Sequence, residues 1–240
     1  MTYSTLAQIK TRLENECDLS DDAFVDLDVE LLGYINSAID DCEAVIHALY
    51  EDYFLNLGSI TLVTSTSTYS LPSDIFATKV RAFLFNPTDG DGYPLRKIKK
   101  LSETLFYGNS SQGTSVYKYI IVNDVTTGLK VKLYPTPTAQ DNGKTIDVWY
   151  IRNAKTLSAA ADQCDIPEFI NFIYAHVKWH VALKERSGIN LAAAEKAYLD
   201  QRSLLEKTLS EMTPTDDSTE IEKDFSFYND FDTETELSTT

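Results

Sequence analysis

The feature that most limits what this chain can fold into is a change of hydrophobic period, made twice. From residue 60 to 151 apolar and polar side chains alternate, as in Tyr117-Lys118-Tyr119-Ile120-Ile121-Val122, Leu129-Lys130-Val131-Lys132-Leu133-Tyr134 and Thr145-Ile146-Asp147-Val148-Trp149-Tyr150. Period-2 burial of this kind marks strands with one face in a core. Turn residues separate the runs: Asn86-Pro87 with Asp89-Gly90-Asp91-Gly92, then Thr127-Gly128, then Asp141-Asn142-Gly143. The residues before and after this block carry three- and four-residue spacing instead. Neither helical set can bury its apolar stripe alone, so the two are expected to pack together across the insertion.

The expected fold class is therefore α+β. N- and C-terminal helices (residues 1–58 and 152–212) make a four-helix-type bundle, an antiparallel β-lobe (59–151) is inserted, and an extended acidic C-terminal tail (213–240) follows. In the first set, residues 4–15 place Leu6, Ile9 and Leu13 on one stripe. A second helix begins near Asp26 or Asp28, where a carboxylate suits a helix N-terminus. It is expected to run to about Tyr53 with Leu31, Ile35, Ala38, Cys42, Val45, Leu49 and Tyr53 at three- and four-residue steps, and to be ended by Asn56-Leu57-Gly58. In the β block, residues 60–63, 67–71 and 79–85 read as strands, residues 102–107 as one or two helical turns, and residues 108–115 as a surface loop.

After Pro167, a helix with Phe169, Ile170, Phe172, Ile173, Val177, Trp179, Val181 and Leu183 is apolar nearly all round, the pattern of a buried central helix. Gly188 is expected to end it. The last helix, 190–212, carries a narrower seam of Leu191, Tyr198, Leu205 and Met212 with Ala194 and Leu209.

Charge is segregated along the chain. Of a formal net charge of -16, residues 13–78 hold 14 carboxylates and no Lys or Arg, residues 79–155 hold 12 basic and 6 acidic residues, and residues 211–240 hold 10 acids against Lys223. Such segregation suits a molecule whose acidic surface meets the basic surface of a neighbour. From residue 213 Pro, Thr, Ser, Asp and Glu dominate, a composition that cannot offset ordering entropy by burial. Yet Phe225, Phe227, Tyr228 and Phe231 fall within seven residues of one another there. A plain solubilising tail lacks aromatics, so these four are the expected partner-binding residues.

Chemistry is sparse by comparison. Cys17, Cys42 and Cys164 are an odd number at unrelated spacings, which supports neither a disulfide framework nor a zinc ribbon. There is no N-terminal basic stretch leading into an apolar core, and residues 166–183 are interrupted by Glu168, Asn171, Lys178 and two histidines, so neither export nor a membrane span is expected. The expected compartment is cytoplasmic. His176 and His180 stand one helical turn apart, at metal-sharing distance, but Val177 occupies the position where a zincin has Glu. No nucleophile elbow, phosphate-cradling loop or dinucleotide fingerprint is present. Catalytic residues, metal and cofactor are therefore all expected to be none. Arg96-Lys97-Ile98-Lys99-Lys100 lies near Phe83, Phe85 and Tyr93, a basic and aromatic mixture that can hold single strands, but it is a weak footprint in so acidic a chain.

Five short motifs occur in a telling order: Leu49-Tyr50-Glu51-Asp52-Tyr53-Phe54, Tyr69-Ser70-Leu71-Pro72-Ser73-Asp74, Leu133-Tyr134-Pro135-Thr136-Pro137, Trp149-Tyr150 and Ile166-Pro167-Glu168. Together they resemble the head-to-tail connector, or adaptor, proteins of tailed bacteriophages, including the podovirus tail tubular A type, over most of residues 1–212. The resemblance implies a helical bundle with a β-lobe and a dodecameric ring below the portal vertex, joined to a downstream tail or nozzle protein. It implies that DNA passes through the channel without sequence-specific binding, and that a C-terminal extension, here residues 211–240, grips the portal. It implies no catalytic residue, and a place in the virion neck after assembly in the host cytoplasm. Two other readings are a virion-associated cell-wall hydrolase working through paired carboxylates, and a cytoplasmic adaptor module outside any virion.

Overall fold

A computed structural model describes residues 3–17, 19, 25–26, 28–86, 92–99, 117–124, 126, 128–185 and 188–212. Its backbone divides into two compact units, one of Met1–Leu6 with Glu51–Ile166 and one of Ala7–Tyr50 with Pro167–Thr240. Four helices, α1 (Leu6–Cys17), α2 (Glu30–Leu49), α3 (Ile170–Glu185) and α4 (Gly188–Met212), and eight strands are present among the described residues.

The first unit is built of two four-stranded sheets. Sheet one runs in the order β1-β8-β3-β4, with β1 (Leu55–Thr61), β8 (Thr145–Arg152), β3 (Ile75–Asn86) and β4 (Tyr93–Pro94). Sheet two runs β2-β7-β6-β5, with β2 (Thr68–Ser70), β7 (Gly128–Tyr134), β6 (Lys118–Asp124) and β5 (Arg96–Lys97). Alternation along each strand sends one set of side chains inward, and both sets share one core: Ile60, Phe83, Phe85, Ile146, Val148 and Tyr150 from the first sheet, Tyr119, Val131 and Leu133 from the second. The ring centroids of Phe83 and Tyr119 lie 4.4 Å apart, and those of Phe85 and Tyr117 5.5 Å. The expectation of purely antiparallel pairing is corrected at one edge. β5 runs parallel to β6, because the chain leaves β4 after a single residue and re-enters in the other sheet.

Local chemistry fixes the corners. Gly128 opens β7 at φ +79°, and Gly143 completes the turn before β8 at φ +84°, conformations that a Cβ disfavours. The Tyr117 hydroxyl donates to Asp141 at 2.5 Å, and Thr138 and Lys144 donate to the same carboxylate at 2.9 and 3.1 Å. Burial alone would raise Asp141, but these donors outweigh it and hold the carboxyl below its ordinary range. In β3, Ala77 and Thr78 adopt positive φ (43° and 65°) where the register with β8 shifts. This bulge is a costly conformation for residues with a side chain. Beyond it Lys79 reaches Glu51 at 2.8 Å and Arg81 reaches Asp52 at 2.9 Å.

Residues 4–6 close the unit from the N-terminal side. Leu6 N–H donates to the Asp162 carbonyl at 2.8 Å, and Cys164 N–H to that of Ser4 at 3.0 Å. The Asp162 side chain is held by the N–H groups of Ala159 and Ser158 and by Lys155, which puts its carboxyl far below the usual carboxylate range.

In the second unit α2 starts at Glu30, one turn after the carboxylate expected to lead it. Asp26 Oδ1 accepts from the N–H groups of Asp28 and Val29, and Glu30 reaches back to the N–H of Asp26. The far end corrects the sequence reading. α2 stops at Leu49, Glu51–Phe54 form a 3-10 turn, and Asn56-Leu57-Gly58 are not a helix terminator but lie inside strand β1. A seven-residue antiparallel ladder from Leu55↔Ile151 to Thr61↔Thr145 outweighs the weaker local signal. The buried stripe of α2 is Leu31, Ile35, Ala38, Ile39, Cys42 and Ile46, so Val45 and Leu49 lie off it. α3 ends at Glu185, and Gly188 belongs to the start of α4.

Candidate interaction surfaces

α3 is the helix around which the second unit is arranged. Phe172, Ile173, Tyr174, Ala175, His176, Val177, Val181 and Ala182 are buried on it, more than one face can supply. It packs against α2 and α4, while α1 meets it through Arg12 over the Tyr174 ring (4.1 Å) and Glu16 with Lys178 (2.5 Å). The two histidines sit in an aromatic cluster. Their ring centroids are 4.5 Å apart, His180 stacks on Tyr34, and Trp179 stacks on Tyr198 at 4.9 Å. His176 Nε2 meets Asp41 Oδ2 at 2.9 Å, whereas its buried Nδ1 has no hydrogen-bond partner. Among the described residues no group of three His, Cys, Asp or Glu could hold a metal ion. His176 is buried and His180 half-buried.

Burial first, then the proximity of His180, holds His176 below its ordinary 6.5, against the pull of Asp41. Folded-state depression means that the unfolded chain takes up this proton more readily. Stability from a neutral His176 is complete above about pH 6.5 and is lost as pH falls toward the folded value. The expected result is a thermal midpoint that drops between pH 7.5 and 5.5, above the ordinary carboxylate range. His176→Phe should flatten that slope, and an equal slope in the variant would remove His176 as its source.

α4 is 25 residues long yet buries only Tyr198, Leu205 and Leu209 of the seam expected for it. Leu199, Leu204 and Met212 are exposed, Met212 in spite of its seven-residue spacing. Grooves flank the helix. One, of about 450 Å³, is lined by Ala44, Ala48 and Leu49 together with Tyr198 and the charged Asp41, Arg202 and Glu206. Another, of about 370 Å³, runs beside Tyr174, Ala175, Ala194 and Ala197.

The β unit presents two unlike outer faces. On sheet one Leu57, Trp149 and Ala82 stand in one cross-strand row, with Leu57 and Trp149 exposed. On sheet two the register sets Arg96 beside Lys118 and Tyr134, Ile120 beside Lys132 and Thr68, and Val122 beside Lys130 and Ser70. Lys132 lies over the Tyr134 ring at 5.3 Å. Among the described residues the single carboxylate of this face is Asp124, which Lys130 meets at 3.2 Å. The basic cluster read from residues 96–100 is thus only partly local. Arg96 joins lysines from two other strands, while Lys100 lies outside the described residues. Strand-internal alternation had already put Lys118, Lys130 and Lys132 on one side of their strands; the missing information was the strand order.

Phe225, Phe227, Tyr228 and Phe231, and the turns and loop expected over residues 102–115, lie outside the described residues. No curated protein matches the chain. Among solved structures, a chain of the "Neck of empty GTA particle computed with C6 symmetry" is 13% identical and covers 75% of this chain and 82% of its own length, with a TM-score of 0.27. That is too distant a likeness to bear on the fold. The SU10 adaptor protein model matches residues 1–221, so the chain belongs to that family and is a bacteriophage head-to-tail adaptor, a structural protein and not an enzyme.

Proposed function

We propose that the chain assembles as a ring, a dodecamer, below the portal vertex and joins the capsid to a downstream tail or nozzle protein. In this reading the four helices form a bundle of the podovirus tail tubular A type, and residues 211–240 dock on the portal through Phe225, Phe227, Tyr228 and Phe231. The observation that carries it is α4, whose long exposed side with Leu199 and Leu204 is what a neighbouring subunit covers, and whose last residue, the exposed Met212, precedes the segment that holds the four aromatics. A ring needs heterologous contacts, one face meeting a different face of the next copy. A chain of net charge -16 lines a channel that repels DNA phosphates, so DNA slides through instead of sticking. Assembly occurs in the host cytoplasm. The family match disfavours a carboxylate-based hydrolase.

Electron microscopy of the purified protein mixed with a portal oligomer tests this. The expected image is a twelvefold ring seated on the portal. A monomer or dimer with no portal affinity would sink the reading.

A further inference from the structure

We propose that the outer face of sheet two is the seat of helix α2 from the next copy in the ring, an inference that rests on the ring reading above. The face is basic in a chain that is otherwise acidic: Arg96, Lys118, Lys130 and Lys132 against Asp124 alone among the described residues. It is also half apolar, through Ile120, the exposed Val122 and Tyr134. A nucleic acid backbone needs charge but gains nothing from Val122, so a partner that is acidic and sterically smooth fits better.

α2 has both properties. It carries Glu30, Asp40, Asp41 and Glu43 and no Lys or Arg. Its exposed residues are Gly33, Ser37, Asp40, Asp41, Ala44, Ala48 and, at its C-terminal end, Leu49, so that up to Ala48 small side chains surround two carboxylates. Small residues let a helix backbone lie close to a pleated surface, so that lysines flanking the apolar row reach the carboxylates. Lengths agree: fifteen steps from Gly33 to Ala48 span about 22 Å of helix, and a seven-residue strand spans about 23 Å. The contact is heterologous, sheet to helix, and so propagates around a ring instead of closing a dimer.

Charge reversal tests it, in full-length protein assembled on a portal ring and followed by sedimentation. Lys132→Glu alone and Asp40→Lys alone should each weaken assembly by at least about tenfold, the effect of a close interfacial charge pair. Both together in one chain should restore it. Lys132→Gln, which keeps the stem and removes the charge, guards against a folding defect and should weaken assembly without changing the melting temperature. Wild-type rings with unchanged yield in the single variants, or a double variant no better than either, overturn this contact and leave the ring standing. A wild-type chain that forms no ring overturns the ring reading, and this contact with it. Binding of a short duplex DNA that is lost in Lys132→Glu and intact in Asp40→Lys, with assembly unaffected, assigns the face to nucleic acid and overturns the proposal.

Discussion

Cutting the chain after Met212 is expected to abolish attachment to the portal while leaving the melting temperature unchanged. Every buried apolar residue described in either unit precedes the cut, the last being Leu209. Met212 is itself exposed, so the truncation removes no packed side chain of the described core. What it removes is a segment with nine carboxylates, Lys223 and four aromatics. Burying one such aromatic on a partner contributes about 1.5–3 kcal/mol. Four of them outweigh the ordering entropy of only a short stretch, at about 1–2 kcal/mol of backbone per residue. Binding is therefore expected to concentrate on residues 225–231, with the carboxylates setting register against basic side chains. Replacing Phe225, Phe227, Tyr228 and Phe231 with Ser at full length should match the truncation. Normal portal binding by both variants would leave the segment as a solvated end, and a lowered melting temperature would show that it packs on the folded units.

Much of this architecture was legible because period is a physical signal. Ile9 and Leu13, Leu31, Ile35 and Ala38, and Val131 and Leu133 are buried where three-and-four or alternate spacing puts them. The signal weakened where local and long-range preferences compete. Residues 55–61 carry Asn56 and Gly58, good helix terminators, and only the ladder to β8 makes a strand of them. On α2 the apolar set is wider than one stripe, so choosing Val45 and Leu49 over Ile39 and Ile46 was a choice between two workable faces that the neighbouring helices decide. The basic face of sheet two depended on strand order, which alternation does not encode. The order of short motifs, none of which is specific alone, was enough to suggest a bacteriophage adaptor but not which adaptor family.

Phe83→Ala should destabilise the β unit by about 3–5 kcal/mol, the usual cost of a large aromatic deletion in a packed core. Phe83 is 1% exposed, faces Val148 across the ladder and meets Tyr119 of the other sheet, so truncation opens a void between sheets that neither can close by moving alone. The two tryptophans make the effect readable in the intact chain, since Trp149 belongs to the β unit and Trp179 to the helical unit. In a Trp179→Phe background, fluorescence reports on the surroundings of Trp149. Its denaturation midpoint should fall sharply in Phe83→Ala and less in Phe83→Leu, which refills part of the void. Val122→Ala, on the exposed outer face of sheet two, is the control and should cost less than about 1 kcal/mol, because deleting exposed methyl groups leaves no cavity. A loss for Phe83→Ala as small as that of the control would mean that the two sheets do not share a packed core at this position.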